Sequence, residues 1–132
     1  MHRRVFAKSA LLAATMAAAT PAAAARRAAR FPNVLFSESD PGHWVDWVSL
    51  HVPETKVEAG KLTIRTPHPQ SDEHYIVSHA VVLASGEFLD RITFSANDAP
   101  VSEHALPTGY SGALTIISTC NRHDTWVKTI TV

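Results

Sequence analysis

An all-β fold, an antiparallel Ig-like sandwich of about seven strands, is predicted by three features of this sequence. From Val57 onward short apolar runs alternate with turn residues, the runs are rich in Val, Ile, Thr and aromatic side chains, and no helical period persists. The candidate strands in chain order are Leu62–Arg65, His74–Leu83, Phe88–Ser95, Ala113–Ser118 and Trp126–Val132. Turn chemistry separates them at Pro67–Pro69, Ser85–Gly86, Asn97–Pro100 and Pro107–Gly112. In a sandwich of this kind Trp126 and Phe94 are expected in the core.

The N-terminus has a different character. His2-Arg3-Arg4-Val5-Phe6-Ala7-Lys8 leads into an uncharged run from Ala10 to Ala19, with small residues from Ala22 to Ala25. A basic start, a short apolar stretch and an A-x-A pattern read as a twin-arginine signal peptide over 1–25, so a periplasmic or otherwise exported location is expected. The apolar run is too short and too alanine-rich to span a bilayer. Signals of this type export proteins already folded, often with a metal or cofactor in place. Cleavage leaves nine Lys and Arg against twelve Asp and Glu. A mildly acidic mature chain is a poor partner for nucleic acid or an anionic membrane. Residues 26–36, with Arg26, Arg27 and Arg30, read as a linker, and 37–132 as one domain with one core. Trp44 and Trp47 lie three apart in an irregular stretch, which suits one helical turn or a loop packing its aromatics into the core.

Cys120 is the only cysteine. It has no internal partner for a disulfide, so it is a buried hydrophobe, a reactive thiol or a metal ligand. Cys120-Asn121-Arg122-His123 has the C-x-x-H spacing at which a tight turn brings sulfur and imidazole onto one ion. Upstream stand His51-Val52-Pro53, Pro67-His68-Pro69 and His74-Tyr75-Ile76. The prolines around His68 hold its backbone extended. Loop ends and strand starts gathered at one rim are where a sandwich can build a site. His79 lies five residues from His74 on the same predicted strand and so faces away. His43 and His104 fall in segments without a matching context, and all three are left out of the site. Four imidazoles and a thiolate exceed the four ligands of a closed zinc tetrahedron. Five ligands leave one position open and suit iron or another redox metal.

Together and in this order, His51-Val52-Pro53, His68-Pro69, His74-Tyr75-Ile76 and Cys120-Asn121-Arg122-His123-Asp124-Thr125-Trp126 resemble the desulfoferrodoxin and neelaredoxin family, the superoxide reductases. The match runs from His51 to Val132. The resemblance implies a mononuclear non-haem iron with equatorial His51, His68, His74 and His123 and axial Cys120. It implies that superoxide is reduced there by one electron and, with two protons, becomes hydrogen peroxide. The four-cysteine iron domain of two-iron members is absent from a chain with one cysteine, so the electron comes from an external donor. A homo-oligomer is left open.

Two positions depart from the family pattern. Ser49 and Leu50 stand where Glu-Lys usually precedes the first histidine, the lysine attracting superoxide. Losing that charge should slow the reaction, and Lys56 and Lys61 are the candidates to replace it. Asp124 stands where glycine is usual; Asp tolerates the left-handed conformation better than most residues, and its carboxylate either accepts a hydrogen bond beside the metal or faces water. Two other functions remain open: a noncatalytic iron or electron-transfer protein, and a metal-free Ig-like binding module.

Overall fold

The structure, a computed structural model, describes residues 31–132. The signal peptide read over 1–25 and the first part of the linker lie outside the described residues. Eight strands form two sheets. They are β1 (Leu35–Phe36), β2 (Glu54–Glu58), β3 (Lys61–Arg65), β4 (Ile76–Leu83), β5 (Phe88–Thr93), β6 (Val101–Ala105), β7 (Ala113–Cys120) and β8 (Thr125–Thr131). The larger sheet has the order β1-β8-β7-β4-β5 and the smaller one β2-β3-β6. All pairings are antiparallel except that of β1 with β8. The expected all-β sandwich is therefore present, with seven strands of five residues or more and one short parallel addition. Among the described residues, no helix is long and apolar enough to cross a membrane.

The five strands read from the sequence are there, with shifted ends, and the two missed long ones are the edges of the small sheet. β2 carries Glu54, Lys56 and Glu58 on its exposed positions, the charged habit of an edge strand that resists pairing with other chains. β6 buries Ser102 and His104 where an edge strand of this sandwich would be expected to bury apolar groups, which hid its alternation. His104, taken as irregular, is thus a strand residue that is 1% exposed. The hairpin between β2 and β3 turns on Ala59 and Gly60, both with positive φ, the geometry that matches strand twist in a two-residue loop.

Leu35 and Phe36, the last residues of the stretch read as a linker, form β1. They pair with Thr125 and Trp126, and Phe36 is buried at 1% exposure against the Trp126 ring. A 3-10 segment, Gly42–Trp47, then runs into a single α-helical turn, α1 (Val48–His51). The core between the sheets is layered along the strands. Leu62, Ile64, Val81, Leu83, Leu114 and Ile116 form the apolar layers. Above them sit buried Thr66, His79, Ser102 and Ser118, and beyond Ser118 the strand β7 ends at Cys120.

Candidate metal centre

Four separate elements present the five predicted side chains at one end of the sandwich. His51 is the last residue of α1, and its Nδ1–H donates to the Trp47 carbonyl at 2.9 Å. That bond fixes the tautomer and leaves the Nε2 lone pair free. His68 sits between its two prolines, with its N–H bonded to the Thr66 carbonyl at 2.8 Å. His74 does not begin β4, as expected, but closes a turn with Ser71; the backbone pair Ser71 N to His74 O spans 2.9 Å. Cys120 ends β7 and His123 follows in the turn to β8, where Cys120 N donates to the Asp124 carbonyl at 2.9 Å.

Their donor atoms converge. His74 Nε2 lies 2.9 Å from His123 Nδ1 and 3.1 Å from His68 Nε2, and His123 Nδ1 lies 3.1 Å from His51 Nε2. With Cys120 Sγ, all five donor atoms fall within 4.8 Å of one another. Three rings point Nε2 inward and one points Nδ1.

Burial pushes the His51 pKa down to about 4; the bond to Trp47 opposes this, and the neighbouring imidazoles of His68, His123 and His74 add to it. His68, His74 and His123 are likewise held below the usual histidine value, burial first. All four rings therefore favour the neutral form that a metal requires. Four neutral imidazoles have four N–H groups, and the one on His51 is committed outward. Nitrogen lone pairs facing each other at about 3 Å repel unless a proton or a cation sits between them. The donor set fits a transition metal with nitrogen and thiolate ligands.

The cysteine is handled differently. It is 3% exposed, and burial raises its thiol pKa while the N–H groups of Arg122 and His123, at 3.5 and 3.4 Å from Sγ, act the other way. Without a metal the thiol stays protonated. A bound cation would displace that proton.

Several residues that support the five converging side chains were not singled out from sequence. Gln70 accepts the Ile76 N–H at 2.9 Å and faces His68 Nδ1 at 3.4 Å, which directs His68 Nε2 inward. Asn121 accepts the Tyr75 N–H at 3.0 Å and donates to the Glu73 carbonyl at 3.1 Å. It thus ties the Cys120 turn to the His74 turn. Asn at that place was visible as part of the C-N-x-H run, but its partners were not, because they lie far away in sequence.

Trp44 and Trp47 do not fill the core. Trp47, 38% exposed, stacks on the His123 ring at 4.4 Å, and Trp44 meets the same ring edge-on at 4.6 Å. Trp126 is core as expected, at 0% exposure, and its indole N–H donates to the His123 carbonyl. Phe94 is only half-buried, past the end of β5, with its ring against His79. Asp124 adopts φ 63° and accepts the Trp44 indole N–H at 2.8 Å, so its carboxylate is a hydrogen-bond acceptor beside the site.

The two lysines offered as replacements for the missing charge are engaged elsewhere. Lys56 pairs with Glu58 and Lys61 with Glu103, each at 2.8 Å. Lys61 also starts β3 at the end opposite to His68.

A family model for desulfoferrodoxin matches residues 51–129, the span that carries all five converging side chains. The chain belongs to the desulfoferrodoxin family. Solved structures agree in fold. Superoxide reductase (neelaredoxin) from Ignicoccus hospitalis superposes with a TM-score of 0.63 at 21% identity, covering 77% of this chain and 96% of that one. The one-iron superoxide reductase from Giardia intestinalis gives 0.57 at 23% identity, over 64% of this chain and 99% of that one. A mutant neelaredoxin from Archaeoglobus fulgidus in the reduced form gives 0.56 at 26% identity, over 64% and 90%. No curated protein sequence matches the chain. Family membership begins at His51, so the 3-10 segment with its two tryptophans lies before the matched residues.

Proposed function

We propose that this protein is an exported superoxide reductase, holding one non-haem iron by His51, His68, His74, His123 and Cys120. The observation that carries the reading is the convergence of four imidazole nitrogens and one sulfur within 4.8 Å, ring nitrogens facing each other. Membership of the desulfoferrodoxin family supports it. When bound, iron supplies one electron to superoxide, which with two protons gives hydrogen peroxide, and an external donor restores that electron.

The chain's own residues prepare the site. His51 and Cys120 lie deepest, at 0% and 3% exposure, while His74 is the most exposed of the five. Substrate and protons therefore reach the centre from the His74 side. The N–H groups of Arg122 and His123 that point at Sγ draw charge from the sulfur and set how strongly it donates. Trp47 and Trp44 cover the His123 ring and limit water on that flank. The twin-arginine leader read from sequence supports export to the periplasm or beyond, after folding and metal loading.

Replacement of the usual Glu-Lys by Ser49-Leu50 favours one second reading, a noncatalytic electron carrier with the same iron. Purified protein loaded with ferrous iron under anaerobic conditions separates the two. A reductase consumes superoxide and forms peroxide without evolving oxygen; an electron carrier exchanges electrons with a donor and leaves superoxide decay at its spontaneous rate. Absence of bound iron after purification and reconstitution would remove both.

A further inference from the structure

The described domain contains twelve carboxylates and six Lys and Arg residues, so an anion approaching it meets net repulsion. A local positive charge at the entrance then matters more than in a neutral protein. Three of the six cations are paired with carboxylates and two more are held by other contacts. Lys56, Lys61 and Arg65 pair with Glu58, Glu103 and Glu54 at 2.7 to 2.8 Å. Lys128 donates to the Pro53 carbonyl at 3.0 Å, and the Arg91 guanidinium lies over the Phe88 ring. The sixth, Arg122, is exposed and has no ion pair or side-chain hydrogen bond among the described residues. It sits in the turn between Cys120 and His123, and its own N–H faces Sγ. Leu50, which precedes His51 in the chain, is apolar and half-buried.

We infer that Arg122 is the cation that draws the anionic substrate to the centre, acting from within the ligand turn itself. This rests on the superoxide reductase reading and deepens it. The placement fits the exposed side of the cluster: Arg122 is exposed in the turn between Cys120 and His123, and His74, whose Nε2 faces His123 Nδ1 at 2.9 Å, is the most open of the five side chains. The neighbouring Asp124 does not neutralise it by pairing, since its carboxylate accepts the Trp44 indole instead. Arg122 works as a point of long-range attraction and as a donor to a bound small monoanion.

The test uses the iron-loaded full-length mature protein with Arg122→Lys, Arg122→Ala and Arg122→Glu, all controlled for iron content and visible absorption. At low ionic strength the superoxide rate constant should fall about 3- to 10-fold in Arg122→Ala and further in Arg122→Glu, within the range that steering produces. Arg122→Lys should keep at least about half of it, and the differences should shrink at about 0.5 M salt, where screening acts within a few ångströms. Azide titrated onto the ferric protein gives a readout independent of turnover: Arg122→Ala should weaken azide binding while leaving that of neutral imidazole unchanged. Equal rates and equal azide affinities in wild type and Arg122→Glu would overturn the inference. So would a loss that is the same at low and high salt, because that places the effect on the thiolate and not on the incoming anion. If the wild-type protein leaves superoxide untouched while azide binding still follows the charge at position 122, the reductase reading fails and Arg122 stands as an anion guide.

Discussion

Two groups of buried histidines lie a few residues apart in this domain, and they are built on opposite rules. In the metal centre, ring nitrogens of His51, His68, His74 and His123 face one another. In the core, His79 and His104 have both nitrogens satisfied by other partners. His104 donates from Nδ1 to Asp90 at 3.0 Å and accepts from the Ser102 hydroxyl at 2.8 Å. Ser102 accepts from His79 Nδ1, His79 Nε2 accepts from Thr66, and Thr66 accepts from Ser118, each at 2.8 Å. Every hydroxyl and every neutral ring gives its single hydrogen in the same sense, ending on the carboxylate of Asp90. One group passes its hydrogens along a single chain that ends on a carboxylate, and the other turns its ring nitrogens on one another around a common centre. Burial does not distinguish a structural histidine from a ligand; the direction of its partners does.

The sharpest way to break this contrast is to remove a ligand from the open group. Cys120→Ser should abolish thiolate-to-iron absorption entirely, and His68→Ala should lose most bound iron. Stability of the metal-free protein should change by less than about 1 kcal/mol in His68→Ala, since a ring crowded by like groups is removed. An unchanged absorption band in Cys120→Ser would show that the sulfur is not a ligand.

The closed group should respond in the reverse way. His79→Ala leaves the hydroxyls of Thr66 and Ser102 each short of a partner and opens a cavity, which together cost about 3 kcal/mol. Iron content should remain that of the wild type. Denaturant unfolding of the metal-free protein measures the first effect and metal analysis the second.

Acid sharpens the same point. Burial, aided by His104, lowers the His79 pKa to about 4, so the folded state resists a proton that the unfolded chain accepts near 6.5. The stability tied to neutral His79 is present above about 6.5 and drains away as pH falls towards about 4. At roughly 1.4 kcal/mol per unit, the loss approaches about 3 kcal/mol. His79→Leu should flatten this part of the pH profile, and an identical slope in the variant would refute the assignment.

Smaller effects are expected where the two groups lean on neighbours. Gln70→Ala frees His68 Nδ1 and the Ile76 N–H and should weaken metal affinity by about 10-fold, read by competition with a chelator. Leu50→Lys should raise the superoxide rate at low salt by about 2- to 3-fold, because it adds a charge beside His51 to one already present at Arg122.

The contrast also explains how far the sequence could be read. The five converging side chains were legible because they sit in short motifs, some with their own backbone reason: prolines around His68, a tight turn from Cys120 to His123. The strands with apolar alternation were legible for the same local reason. β2 and β6 were not, since one is charged as an edge and the other buries Ser102 and His104. His79 was rightly kept from the site, yet for an incomplete reason. His74 lies in a turn and not on β4, and an irregularity between Ile76 and Ser78 shifts the register against β7. The roles of Trp44 and Trp47 depend on contacts with His123 more than seventy residues away, which no local pattern encodes.

His51 and His123 are 72 positions apart in the chain, and an ion gripping both would act as a cross-link. Tying a loop of that length restricts the unfolded chain by an amount comparable to a disulfide, on the order of 4 kcal/mol in the chain-entropy account. A domain whose single cysteine has no partner sulfur would thus gain a covalent-like fastening from its metal, and stripping the ion would cost it durability as well as chemistry.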